Sequence, residues 1–241
     1  MFEPNVVIWP FFETETVKDR RRFTGKCFLE FLGCILFGLL QWVLVVTALK
    51  SWFEQVSRNH SSALFLGFVV GLFLFLIYAL SKSIRRMKCM KWLLPVVIVE
   101  FLVVGLIPLM IEPPVLYMLI AFLITCVVFL FIVILAATMP ADITMGGLYI
   151  YLMTLGFYLM SLYCIVLYCI LGVFWCFYVF AITMACVVAF FLMYHVQCIM
   201  GGRSAATKLY DDKYAALLLF LEFIAFFCIT LYIRPKNAPP T

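Results

Sequence analysis

Four ionisable side chains stand inside long apolar stretches of the sequence. They are Glu30, Glu100, His195 and Glu222. A carboxyl or imidazole group in hydrocarbon is costly unless it has a partner, and such groups commonly carry protons or line ion routes. Glu30 lies near the start of its stretch, so its side chain is predicted to reach the membrane interface. The other three lie deeper, and an ion or proton function would begin with them.

Composition assigns these residues to a membrane protein. Hydrophobic residues make up 67% of the chain and charged residues 12%, whereas a soluble domain is nearer half apolar and a quarter charged. The sequence therefore predicts an all-α, polytopic helical bundle in the bilayer. No sequence break indicates a second folded domain.

Seven stretches are long enough to cross the hydrocarbon core, which takes about 20 apolar residues. They are residues 27–49, 62–81, 92–111, 115–138, 146–166, 169–193 and 214–233. The fifth and sixth run together without a charge, and their division is predicted near Tyr168. The predicted organisation is a cytosolic N-terminal segment (1–26), a seven-helix transmembrane domain (27–233) and a C-terminal tail (234–241). The last stretch either spans the membrane or re-enters it.

Lysine and arginine in the connections predict the orientation. With the N-terminus in the cytosol, thirteen basic residues fall on the cytosolic side and four on the other side, as the positive-inside rule requires. The same orientation puts Glu100, His195 and Glu222 in the cytosolic half of the membrane. A shared polar layer is favoured by this common depth, and three separate polar contacts are the alternative.

Other local patterns indicate structure. Gly67 and Gly71 form a G-x-x-x-G, which lets a second helix approach closely. Most of the ten cysteines lie in apolar runs without C-x-x-C pairs, which is typical of buried free thiols. Neither a resident metal nor another cofactor is predicted. The chain has no H-E-x-x-H, nucleophile elbow or phosphate loop, so it is not expected to be an enzyme.

Two C-terminal stretches carry a family resemblance. YHVQCIMGG followed by DDKYAALLLFLEFI resembles the last-helix signature of the transmembrane BAX-inhibitor-motif family, also called Lifeguard. That signature reads approximately Y-D-T-Q-x-I-M-G-G, then E-E-Y-x-x-A-x-x-L-Y-L-D-I-I. ADITMGGLYIYL is similar to the family's D-F-T-x-M-G segment before the fifth helix. Arg85-Arg86 and the glutamate of IVEFLVVG also fall where family members often have them.

The resemblance implies a protein of the endoplasmic reticulum, the Golgi or related membranes that dampens cell death and lowers stored calcium. The best-understood members resemble pH-sensitive calcium leak channels, in which two aspartates share a proton and an arginine latches one of them. Carried over, the two aspartates fall on His195 and Glu222, and the arginine on Arg85 or Arg86. The expected partners are the lipid bilayer, transported calcium ions and apoptosis-regulating membrane proteins, without nucleic acid.

Histidine at position 195 changes this chemistry. Two carboxylates a few ångströms apart repel when both are ionised, whereas a His/Glu pair attracts when both groups are charged. Two functions therefore stay open: a calcium-leak or ion-homeostasis protein with an altered gate, or a non-conducting paralogue that acts by binding partners in the membrane.

Overall fold

A computed structural model describes residues 15–232, in which every regular element is helical. The helices are α1 (Val17–Thr47), α2 (Lys50–Leu80), α3 (Lys82–Arg86), α4 (Met90–Gly105), α5 (Ile107–Ile111), α6 (Val115–Thr138), α7 (Gly147–Leu171), α8 (Phe174–Met200) and α9 (Asp212–Leu231). A short 3₁₀ turn, Ile143–Gly146, precedes α7. The predicted all-α class is confirmed, and the tail at 234–241 lies outside the described residues.

Six helices in the described part of the chain are long and apolar enough to cross a membrane. They are α1, the Ser62–Leu80 part of α2, α6, the 3₁₀ turn with α7, α8 and α9. The six identify an integral, multi-pass membrane protein, but the predicted count of seven is not confirmed. The stretch predicted at 92–111 is divided at Leu106 into α4 and α5. Pro108 lacks the backbone N–H that would continue the α4 hydrogen-bond ladder.

Several helix boundaries differ from the prediction, three of them for identifiable local reasons. α1 begins at Val17, because Thr16 caps it by accepting a hydrogen bond from the Asp19 amide at 3.1 Å. α2 runs on from Lys50 and is kinked at His60. The division between α7 and α8 lies at Gly172 and not near Tyr168. Gly172 ends α7 with φ +66°, a left-handed conformation that glycine adopts without steric cost.

Helix α9 is the centre of the bundle. Thirteen of its twenty residues are buried, against three of twenty-five in α7. Phe223 packs against the rings of Phe31, Phe122 and Phe129, with centroid distances of 5.5 to 6.1 Å. α9 is thus enclosed by protein, and α7 presents most of its apolar surface outward.

Close packing at two glycines joins α2 to α4. A Cβ on Gly71 would lie 3.0 Å from the Phe101 Cβ, and a Cβ on Gly105 would lie 2.4 Å from the Phe68 backbone nitrogen. Gly67 has more space, since its nearest neighbour is Phe101 at 3.8 Å. The G-x-x-x-G motif therefore faces another helix of the same chain.

One end of the bundle, called the basic end below, collects the N-termini of α1, α4 and α9 and the C-termini of α2 and α8. Arg20 of α1 donates a hydrogen bond to the Thr207 carbonyl at 2.7 Å. Arg203 donates to the carbonyls of Met139 and Pro140, just past the end of α6, at 2.7 and 3.0 Å. These contacts fix the α8–α9 connection against α1 and α6. The side of the membrane that this end faces stays a prediction from the charge count.

Candidate functional site

A contact between a histidine and a carboxylate connects α8 to α9 inside the bundle. The His195 Nδ1 contacts the Glu222 Oε1, and their side chains are 22% and 9% exposed. The second carboxylate oxygen of Glu222 is buried and accepts no hydrogen bond within residues 15–232. The structure therefore brings together the two residues that the sequence aligned with the family's acidic pair, and it leaves one carboxylate oxygen unpaired.

Aromatic rings hold the imidazole in position. Phe191, one turn earlier on α8, stacks on the His195 ring with centroids 6.1 Å apart, and Tyr194 meets it edge-on at 5.7 Å. These contacts restrict how the imidazole turns towards α9. The pair can exchange a proton between nitrogen and oxygen, and it attracts when the imidazole is protonated and the carboxyl is not. It is therefore a cross-link between two helices whose strength depends on protonation.

Glu100 lies in a separate polar contact. Both of its carboxylate oxygens accept from the Gln41 amide nitrogen of α1, each at 3.0 Å. Glu100 and Glu222 each follow the first residue of their helix by ten positions, so they lie about 15 Å along it. Glu100 and Glu222 therefore lie at the same depth, but they bind different partners. Within the described residues, the alternative of separate polar contacts fits Glu100 better than the predicted layer.

Arg85, a predicted latch residue, is directed to the start of α9. Its Nε donates to the Asp211 Oδ1 at 2.9 Å, and its Nη1 donates to the carbonyls of Tyr78, at 3.2 Å, and Ala79. Its guanidinium also lies 4.8 Å from the Tyr214 ring centroid. Asp211 precedes Glu222 by eleven residues, roughly 16 Å along a helix. Among the described contacts, Arg85 therefore joins α2 and α3 to α9 and does not touch the His195–Glu222 pair.

Arg86, the other predicted latch residue, is exposed and points to a different partner. It donates to the Tyr210 hydroxyl at 3.3 Å, and its guanidinium lies 5.1 Å from the Tyr210 ring centroid. Within residues 15–232 it makes no contact with His195 or Glu222. The structure thus separates two adjacent arginines that the sequence could not distinguish.

A buried charge cluster at the basic end was missed in the sequence. Asp212 is 1% exposed and forms ion pairs with Lys26 of α1, with Lys91 of α4 at 2.6 Å and with its neighbour Lys213 at 3.6 Å. Lys213 also contacts Glu30, so this carboxylate does find its partner near the interface. An aspartate in the first turn of a helix is favoured by the helix dipole. The signal was the D-D-K run directly before the last apolar stretch.

The D-I-T-M-G segment forms a second contact that was not predicted. The Asp142 Oδ1 accepts from the backbone and hydroxyl of Thr144, at 2.9 and 2.6 Å, and its Oδ2 accepts from those of Ser204, at 2.8 and 2.7 Å. These four hydrogen bonds hold the pKa of Asp142 below its ordinary value. Gln197 of α8 adds an accepted hydrogen bond from the Ile143 amide at 2.9 Å. The two resembling motifs, around residues 142 and 197, therefore bind each other.

Residues 15–232 contain no cluster of three or more His, Cys, Asp or Glu side chains that could hold a metal ion. Comparisons of the chain with family models, with curated proteins and with solved structures find no match. What is known of the site is therefore its geometry: a protonatable pair between α8 and α9, near a bundle end tied together by buried ion pairs.

Proposed function

We propose that the chain is a BAX-inhibitor-type protein of the endoplasmic reticulum or Golgi membrane, acting as a calcium-leak or ion-homeostasis component that suppresses cell death. The support is the resemblance of three sequence stretches, together with the meeting of His195 and Glu222. In this proposal the pair is the gate between α8 and α9. The N-terminus and the basic end face the cytosol, as the charge count predicts.

The proposed topology has seven crossings. α4 is sixteen residues long, about 24 Å, which is shorter than the hydrocarbon core of about 30 Å. With α5, the segment reaches from Met90 to Ile111, and 22 helical residues would span about 33 Å. A broken third crossing is therefore long enough. An odd number of crossings puts the C-terminus on the lumenal side.

The observation that carries the proposal is the geometry of Glu222: one carboxylate oxygen contacts His195, and the other has no hydrogen-bond partner among residues 15–232. A buried carboxylate oxygen without a hydrogen bond is unfavourable. A permeating cation or a proton bound to this oxygen would remove the unfavourable energy. His195 occupies the other oxygen and links α8 to α9. Loosening this contact would expose the carboxylate to a passing ion, so the pair can couple protonation to conduction.

A non-conducting paralogue is the second candidate, and the position of Arg85 favours it. Of the two arginines to which the resemblance assigns the latch, Arg85 contacts Asp211 and Arg86 contacts Tyr210. The His195–Glu222 pair attracts when both groups are charged, whereas two ionised aspartates would repel. In this alternative the pair is a fixed cross-link. The protein would then regulate apoptosis by binding other membrane proteins.

Calcium flux through purified protein in liposomes tests the proposal. We expect flux above that of empty liposomes, and we expect Glu222→Gln to change its size or pH dependence, because the amide cannot ionise. Glu100→Gln is the matched control, since it makes the same substitution at a similar helix offset in a separate contact. Wild-type flux equal to that of empty liposomes between pH 5 and 8 would leave the non-conducting alternative.

A further inference from the structure

Several of the positive charges that meet at the basic end form ion pairs with carboxylates. Arg85 pairs with Asp211, Lys26 and Lys91 pair with Asp212, and Lys213 pairs with Glu30. Arg86 and Lys208 differ, because neither lies within ion-pair distance of a carboxylate among residues 15–232. Both side chains are exposed. They are cations that are available for an external anion.

Tyr210 holds these two cations together. The Arg86 guanidinium lies 5.1 Å and the Lys208 ammonium 5.8 Å from the centroid of the same tyrosine ring. Cation–π attraction stabilises each contact, although the two positive charges repel each other. An anion bound beside the ring would remove this repulsion. Residues 15–232 thus place two like charges beside one ring without supplying their counter-ion.

The Tyr210 hydroxyl adds a directed donor. It accepts the hydrogen bond from the Arg86 Nη2 at 3.3 Å, and its own proton has no acceptor among the described residues. The hydrogen bond from Arg86 lowers the pKa of Tyr210, because it stabilises the phenolate. A more acidic hydroxyl is a better hydrogen-bond donor. Guanidinium, ammonium and hydroxyl together match the several oxygens of a phosphate group.

The position of Arg86, Lys208 and Tyr210 indicates that the phosphate belongs to a lipid headgroup. Arg86 follows the apolar helix that ends at Leu80, and Lys208 and Tyr210 lie between α8, which ends at Met200, and α9, which begins at Asp212. The three side chains therefore lie just beyond the ends of membrane-crossing helices, at the level of lipid headgroups. Lys82, also exposed, adds positive potential that attracts anionic lipids.

We propose that Arg86, Lys208 and Tyr210 form a binding site for the phosphate of an anionic phospholipid headgroup. Bound lipid would neutralise the two cations and connect the end of α3 to the loop before α9. Arg85 and Asp211, the neighbours of Arg86 and Tyr210 in sequence, already connect the same elements inside the bundle. The lipid would therefore reinforce an existing junction from outside.

Binding of a fluorescent phosphatidylinositol 4-phosphate to purified protein in detergent micelles tests the site. We expect Arg86→Gln and Lys208→Gln each to weaken binding about tenfold, equivalent to about 1.4 kcal/mol, and Tyr210→Phe to weaken it less. Lys88→Gln is the matched control, because it removes one exposed charge away from the tyrosine. Arg86→Lys should retain part of the affinity. Unchanged thermal unfolding of each variant would show that the folded state is intact.

Three results would overturn the proposal. Equal weakening by Lys88→Gln and Arg86→Gln would mean that a diffuse positive surface attracts the lipid. Full affinity in Arg86→Gln and Tyr210→Phe would exclude these side chains. Displacement of the labelled lipid by inorganic phosphate at the concentration at which unlabelled lipid displaces it would make the ligand a soluble phosphate. Competition by unlabelled phosphatidylinositol 4-phosphate but not by phosphatidylcholine supports the proposal.

Discussion

Replacing Gly105 with alanine is predicted to separate α2 from α4 and to destabilise the protein. The new Cβ would lie 2.4 Å from the Phe68 nitrogen, 2.6 Å from its Cβ and 2.7 Å from its Cα, whereas ordinary contact begins at 3.4 Å. Two of these atoms belong to the backbone, so no side-chain rotation relieves the overlap. The helices have to separate locally by about 1 Å, and such overpacking costs about 1–3 kcal/mol.

Helix propensity opposes part of this cost. Alanine is more favourable than glycine within a helix by up to about 1 kcal/mol, so the expected net loss for Gly105→Ala is about 1–2 kcal/mol. Gly33→Ala is the control, because Gly33 lies within α1 and, apart from its chain neighbours and the nearby backbone of its own helix, no atom of the described residues comes within 4 Å of its added Cβ. That substitution should stabilise the protein by about 0.5–1 kcal/mol.

Unfolding by dodecyl sulfate in mixed micelles, followed by tryptophan fluorescence, measures both variants. The prediction is one of opposite sign: Gly105→Ala unfolds at a lower mole fraction of dodecyl sulfate than wild type, and Gly33→Ala at a higher one. If Gly105→Ala were as stable as Gly33→Ala, α2 and α4 would not approach as closely as described.

Three further predictions concern the basic end and its surroundings. Arg85→Gln and Asp211→Asn should each lower the free energy of unfolding by about 3–5 kcal/mol, because each leaves a buried charge unpaired. In the same unfolding assay, the double variant should lose less stability than the sum of the two single losses. The pKa of Asp142 is lowered in the folded protein, so the hydrogen bonds to its ionised carboxylate stabilise the fold. This contribution to the free energy of unfolding is fully present above the ordinary pKa of about 3.9, and it is lost as the pH falls through the pKa of the folded state. Asp142→Asn should therefore lower stability by about 2 kcal/mol equally at pH 6 and pH 8, and a loss that grew between those values would contradict this assignment. A cysteine at position 88, in a chain without its native cysteines, should react with a membrane-impermeant maleimide only from the cytosolic side, and lumenal labelling would reverse the orientation.

The positions of the membrane helices could be predicted because apolar length is a local property of the sequence. Residues 115–138 were predicted as one span, and α6 occupies those residues. Residues 92–111 were predicted as one helix, and Pro108 interrupts it. The division predicted near Tyr168 lies four residues before Gly172, whose left-handed conformation ends α7 and is a common helix stop signal.

Pairing inside the bundle was only partly predictable, because it depends on how each helix is rotated about its axis. The resemblance drew attention to His195 and Glu222, and they do meet. Depth alone suggested that Glu100 would join them, but Glu100 faces Gln41 of α1. The partner of Arg85 also depends on how the helices are placed. From α3 the Arg85 guanidinium reaches Asp211 at the start of α9, whereas Glu222 lies three turns further along that helix. A charge count predicts the side of the membrane, and the offset along a helix predicts depth. Neither predicts which neighbouring helix a side chain faces.

Calcium flux against pH, measured side by side for wild type and His195→Asp in liposomes, tests the central claim that the His195–Glu222 pair is the gate. In wild type, the attraction that closes α8 on α9 needs an ionised carboxyl and a protonated imidazole at once, so it should be strongest, and the flux lowest, at intermediate pH. In His195→Asp the two carboxylates repel when both are ionised, so flux should change in one direction across the titration of the acidic pair. Superimposable profiles for the two proteins would contradict the account and leave His195 as a partly buried polar residue that only holds two helices together.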